Sequence, residues 1–272
     1  MSSVNSGGSL VPGFSYSNQL LFYGRDKAKD NSGETIATGA NSVIMDLNSI
    51  TWVSSKPILG GARFSATFTQ PFARNSLASD VNGTISGGFG LADTYVIPVV
   101  VGWKKERVAF RILGGVLAPT GKYSVGATDN VGSGYWTPTL ATGQTFELAR
   151  QFVLSAFELY EWHTEQDGTG ITPGETFDLD YSLMRGFYMS NGSWSLQLGA
   201  AGYLARQTTA KTGPAVTAAQ MAERYAVNSL GLSLHVTIPK HKLNMGVRYF
   251  KEFANRATFE GYSLQFAGGI RF

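Results

Sequence analysis

The chain has 272 residues and a net charge of +3, with 15% charged residues, 12% aromatic residues, 33 glycines and no cysteine. This composition excludes a disordered chain, disulfides and thiolate metal sites, and with no Lys/Arg cluster of nucleic-acid character it excludes a nucleic-acid partner. A near-zero mean hydropathy, and no apolar run near the roughly 18 residues of a spanning helix, exclude a helical membrane protein but leave a membrane barrel open.

The chain starts Met1-Ser-Ser-Val-Asn-Ser-Gly-Gly, without the basic and apolar regions of a signal peptide. Twelve strands are predicted, near 13–23, 42–53, 60–72, 92–103, 107–118, 135–147, 151–162, 175–188, 193–206, 225–238, 242–253 and 258–272. Most alternate with period two. Phe177, Leu179, Tyr181 and Leu183 oppose Thr176, Asp178, Asp180 and Ser182; Leu230, Leu232, Leu234 and Val236 oppose Ser229, Gly231, Ser233 and His235. The last strand places Tyr262, Leu264, Phe266, Ile270 and Phe272 opposite Ser263, Gln265, Gly269 and Arg271. The segment 135–147 alternates least clearly.

The connections are sorted by length. Long stretches at 24–41, 73–91, 119–134, 163–174 and 207–224 alternate with short turns at 54–59, 104–106, 148–150, 189–192 and 239–241. A soluble sandwich has no reason for such sorting. An up-and-down antiparallel β-barrel in an outer membrane has turns at one rim and loops at the other, and its closure removes the sheet edges that lipid would not tolerate. The reading is therefore an all-β transmembrane barrel of about 12 strands. It is expected as a single domain over 1–272, a mature or recombinant form with the signal removed rather than a cytosolic protein, in which 1–12 is a periplasmic N-terminal segment. Tyr16, Trp103, Trp136, Trp162, Tyr188, Trp194 and Tyr249 lie toward strand ends, where interfacial girdles would put them.

Charges are costly on the lipid face, so Asp46, Arg63, Arg111, Glu158, Asp178, Asp180 and Arg248 are expected to line the pore. This mixed set points to internal ion pairs and against strong ion selectivity. The same parity turns Ile44, Trp52, Val96, Val100, Leu113, Leu117, Tyr160 and Phe250 inward, as a path for an apolar or aromatic solute requires; the alternative is that they fill a narrow, closed lumen. Pro98, inside a predicted strand, is expected to mark an irregularity in the wall, locally weak enough for an apolar solute to leave sideways.

Five stretches in order carry a family likeness: Pro57-Ile-Leu-Gly-Gly61, Gly88-Phe-Gly-Leu-Ala-Asp93, Ala118-Pro-Thr-Gly-Lys-Tyr123, Asn130-Val-Gly-Ser-Gly-Tyr-Trp136 and Phe177-Asp-Leu-Asp-Tyr181. From about Pro12 to Phe272 the chain resembles the outer-membrane protein family linked to the meta-cleavage pathway of phenol degradation. The pre-loop segment Glu158-Leu-Tyr-Glu-Trp162 departs from the more amide-rich ending expected there. The resemblance implies a small-molecule channel in the bacterial outer membrane. The solutes implied are small hydrophobic or aromatic molecules taken up by passive diffusion, without cofactor. The expected surroundings are outer-membrane lipid and lipopolysaccharide, the barrel assembly machinery reading the terminal Phe272 strand, and no second subunit. The loop from Pro119 to Gly134 is expected to fold over or into the mouth.

No catalytic or metal site is expected. His163 lies at a loop edge and His241 in a basic turn, while Ser233 and His235 are side-by-side neighbours on one strand face rather than an oriented pair. Asp178 and Asp180 have the form of an acid/base pair but suit a lumen wall. Metal-ligand spacing is absent, and Ser86-Gly-Gly-Phe-Gly90 lacks the strand–helix setting of a phosphate loop. A barrel enzyme acting on lipid or peptide and a plugged structural barrel stand as alternatives.

Overall fold

The structure, a computed structural model, describes residues 4–8, 11–58, 60–189 and 192–272. Within the N-terminal stretch, 1–3 and 9–10 lie outside the described residues, as do Leu59 and Ser190–Asn191 in two of the short turns. Fourteen strands appear among the described residues: β1 (Gly13–Lys29), β2 (Thr35–Thr38), β3 (Ser42–Val53), β4 (Arg63–Ser79), β5 (Gly83–Leu91), β6 (Thr94–Lys105), β7 (Val108–Ala118), β8 (Thr137–Glu147), β9 (Phe152–Glu161), β10 (Thr176–Tyr188), β11 (Ser195–Gln207), β12 (Ala226–Ile238), β13 (Leu243–Glu252) and β14 (Phe259–Arg271). Twelve form a closed antiparallel meander, sealed where β14 pairs with β1 from Ser15↔Arg271 to Ala28↔Phe259. The remaining two, β2 and β5, extend β1 and β4 into hairpins beyond the loop rim.

Closure follows from the chemistry of the strands. The backbone groups of a membrane-spanning segment must pair within the protein, and only a closed sheet lets every strand do so. Side-chain alternation then sorts the faces. On β12, Leu230 and Leu232 are 53% and 64% exposed to the outside, while Ser229 and Ser233 are buried within the barrel. The same sorting places Tyr262, Leu264, Phe266 and Ile270 outside on β14, and Thr176, Asp178, Asp180 and Ser182 inside on β10. No helix among the described residues is long and apolar enough to cross a membrane.

Three features differ from the sequence expectations. The strands β2 and β5 were not expected, because 24–41 and 73–91 are polar and glycine-rich; their ladders form on the projecting ends of β1 and β4. Part of the stretch expected below the barrel is inside it: Val4 packs on Val153 and Met184, Asn5 Nδ2 donates to Gln197 Oε1 at 3.0 Å, and Gly7 N donates to Thr145 Oγ1 at 2.9 Å. Glycine permits this contact. A Cβ on Gly7 would lie 2.1 Å from the Ala109 carbonyl oxygen, and one on Gly143 of β8 would lie 2.4 Å from that of Ser6.

The third difference is on the outer wall. Asp46, Glu158 and Tyr160 face outward, as do Ile44, Trp52 and Val96; burial on the inner face falls instead to Leu159, Phe157 and Ser65. The expected cost of a lipid-facing carboxylate is offset locally. Asp46 accepts from Asn18 Nδ2, and Asn48 Oδ1 accepts from Asn18 Nδ2 at 3.2 Å and from the Tyr16 hydroxyl at 2.6 Å. Glu158 Oε2 accepts from Thr142 Oγ1 at 2.5 Å and Gln144 Nε2 at 2.8 Å. Tyr160 sits near the loop rim against Trp162, its hydroxyl donating to Glu175 Oε2 at 2.6 Å.

Candidate functional site: a roofed chamber in the barrel

The barrel encloses a chamber of about 660 Å³. One side carries hydroxyls from β3 and β4, including Ser49, Thr67 and Thr69; the other is apolar, with Ile97, Val100, Leu113, Leu117 and Phe157. Alternation produces both sides. On β4 the inward Ser65, Thr67 and Thr69 are small and polar, whereas β7 turns Leu113 and Leu117 inward and β9 turns Phe157 inward. A neighbouring chamber of about 250 Å³ shares Gln19, Met45 and Leu47 with the first, so the two are adjacent. Asp178, Asp180, Arg248 and Phe250 line this smaller space together with Tyr203, whose ring meets Phe250 edge-on at 5.2 Å.

The ten residues expected to line a pore therefore separate into four groups. Arg111 and Leu113 face the larger chamber, and Asp178, Asp180, Arg248 and Phe250 the smaller. Arg63 caps the short turn before β4, donating to the carbonyls of Ser54 at 3.1 Å and Ser55 at 2.8 Å. Asp46, Glu158 and Tyr160 lie on the outside.

A knot centred on Asp93 makes the roof. Asp93 sits in the two-residue gap between β5 and β6, where the chain leaves one pairing and starts the next. Its Oδ1 accepts from Gly121 N at 3.0 Å, and its Oδ2 from Ser133 N at 2.8 Å and Ser133 Oγ at 2.5 Å. The loop between β7 and β8 is thereby drawn inward, and Val131, Gly132 and Ser133 face the chamber. Thr94 N donates to Thr120 Oγ1 at 3.0 Å, and Gln166 Nε2 reaches the Ser133 carbonyl at 2.7 Å, tying in the next loop. In that loop His163 Nδ1 lies 3.1 Å from Thr137 Oγ1 beside the Tyr135 ring, and burial lowers its pKa from the ordinary histidine value.

The sequence did not single out Asp93, yet it carried a signal. Gly88–Asp93, Ala118–Tyr123 and Asn130–Trp136 are three of the stretches that bear the family likeness, and all three meet in this knot. Phe157 and Glu161 were also missed as lining residues, because the outward carboxylate on β9 reversed the parity assigned to that strand, and Tyr95 was missed because the register shift between Val96 and Val99 breaks the parity of β6.

Pro98 lies where β6 loses register with both neighbours. On β4 the pairs step from Thr67↔Ile97 to Ser65↔Val100, and on β7 from Val96↔Val116 to Val99↔Gly114. Pro98 and Val99 are both exposed on the outer wall, beside the apolar side of the larger chamber. Proline offers no ladder donor, and the extra residue of a bulge absorbs the loss.

A family model described as "Putative MetA-pathway of phenol degradation" matches residues 25–267. Among solved structures, a COG4313 outer membrane channel from Pseudomonas putida F1 is similar with a TM-score of 0.76 and 13% identity, covering 97% of each chain. The beta domain of the Bordetella autotransporter BrkA is similar with a TM-score of 0.59 and 14% identity, covering 96% of this chain and 100% of that one. At these identities the likeness is one of fold. No curated protein sequence matches the chain.

Proposed function

Because the chain belongs to the family described as the putative MetA-pathway of phenol degradation, we propose that it is an outer-membrane channel through which small hydrophobic or aromatic molecules diffuse without energy input. It acts as a monomer, with the short turns in the periplasm and the long loops outside. The observation that carries this reading is the enclosed chamber, apolar on one side and hydroxyl-lined on the other, roofed by the Asp93 knot. Such a space suits a ring-sized solute and is larger than a packed core leaves empty. The Pseudomonas protein of similar fold is itself an outer membrane channel. Arg111, Leu113, Asp178, Asp180, Arg248 and Phe250 form the path, and the bulge at Pro98 is a side exit toward the bilayer.

Val4–Gly8, lying in the short-turn half of the lumen, favour a second reading, a plugged structural barrel. Planar-bilayer conductance with phenol-like solutes, together with uptake of toluene into proteoliposomes, separates the two. A channel gives small, weakly selective steps that aromatics block or make noisy, and it carries toluene across. Silence in the bilayer and no toluene uptake, both relieved by deletion of residues 4–8, would establish the plug.

A further inference from the structure

Arg111 is a lumen group whose surroundings leave its chemistry unused. It projects from β7 into the larger chamber, and among the described residues its guanidinium makes no hydrogen bond and no ion pair. Its Nε is buried with no partner, and what exposure the side chain has opens into the chamber. The Phe157 ring lies under it at 5.6 Å, which favours the positive charge but accepts no hydrogen bond in the plane of the fork. A guanidinium removed from bulk water with its donors unsatisfied is costly, and a planar two-oxygen anion satisfies it best.

The other charges of the chamber are already engaged. The Asp93 carboxylate accepts the three donors of the roof knot, and Glu161 Oε2 accepts from the Thr176 hydroxyl at 2.8 Å. Both lie toward the loop rim, at the start of β6 and the end of β9, whereas Arg111 lies near the short-turn end of β7. Leu113 stands one step above Arg111 on the same face and pairs with Val100 of β6, while Phe157 of β9 lies level with Arg111 across Gly143; Leu113, Val100 and Phe157 belong to one buried cluster. A ring stacked on that cluster would point a substituent down at the guanidinium.

We propose that the larger chamber is a binding station for single-ring aromatic carboxylates, with Arg111 pairing with the carboxylate and Leu113, Val100 and Phe157 holding the ring. The assignment rests on the channel reading and narrows its solute class. Arg111 is the specificity-determining residue, and neutral aromatics pass the station without stopping there.

The test is calorimetric titration of detergent-purified full-length protein with benzoate, with benzamide and acetate as probes lacking the charge or the ring. Arg111→Gln and Arg111→Lys are measured beside the wild type, and toluene and benzoate uptake is followed in proteoliposomes of each. Folding of each variant is checked by its mobility shift on heating in detergent gels. Benzoate should bind the wild type and bind Arg111→Gln roughly tenfold or more weakly, as expected for the loss of a charge-assisted pair, with Arg111→Lys between them. Benzamide and acetate should not bind, and the wild type should take up toluene. Benzoate binding that equals benzamide binding, or that survives Arg111→Gln unchanged, means that lumen water alone satisfies the guanidinium and overturns the proposal while toluene uptake keeps the channel. Loss of toluene uptake in the wild type would instead remove the channel reading, and the titration would still decide the site.

Discussion

From β7 through β14 each strand pairs with the next in unbroken register, whereas every register shift in the described sheet involves a strand from β1 to β7. The regular half has plain alternation and short, local ladders. The irregular half has 17-residue strands at β1 and β4, the break at Asp93 and the double bulge at Pro98. Both halves obey the same membrane constraint, so the difference reflects what else each must do. Regular pairing suffices to hold a wall, and bulges appear where a wall must also anchor a roof and bend beside a chamber.

The contrast breaks most visibly at Asp93. Asp93→Ala removes the acceptor for three loop donors, and with hydrogen bonds to a charged group the expected loss is roughly 2–4 kcal/mol. The roof should open, raising single-channel conductance several-fold in a planar bilayer; conductance equal to wild type would show that the loop holds its place without the knot.

A second intervention makes the irregular half more rigid. Val99 and Gly114 face each other across the bulge, and a side chain at Gly114 would meet nothing within 4 Å. Oxidising the pair Val99→Cys and Gly114→Cys should slow toluene uptake by roughly tenfold while leaving ion conductance unchanged, if closing one path costs about 1.4 kcal/mol or more. Reduction should restore uptake. Uptake indifferent to the crosslink would rule out a side exit beside Pro98.

The smallest effect concerns the outer wall. Asn18→Leu alone strands the Asp46 carboxylate among lipid-facing neighbours and should cost about 1–3 kcal/mol in urea unfolding from micelles. Adding Asp46→Leu should recover that loss, because replacing both partners by apolar groups is close to neutral. A double variant no better than the single one would mean that the polar cluster contributes more than mutual satisfaction.

The same contrast explains what could be read from sequence. On β10 from Thr176 to Leu183 and on β14 from Tyr262 to Phe266 one face is apolar and the other polar, so facing and register followed directly. On β3, Val43 to Leu47 is apolar on both faces around Asp46, and the rule that charges turn inward then set the parity wrongly. The satisfying partner, Asn18, lies on β1, 28 positions away, and only the fold brings it near. The strand count, the loop sorting and the aromatic ends depend on local pattern and were legible. The roof was not, because Asp93, Gly121 and Ser133 are an unremarkable acid, glycine and serine until a barrel rim brings them together.

The hairpin of β4 and β5 carries the sheet well past the level of the roof, and its tip is free of it: Val81 is 90% exposed, and the nearest tie is Asp80 to Thr38 at the side. Exposed tips with short polar sequences are where chains tolerate inserted residues. The barrel thus comes with a handle. A peptide tag placed between Val81 and Asn82 would stand clear of the lipid surface and, with the long loops outside as proposed, be visible to antibodies on whole cells, without touching the wall, the knot or the lumen.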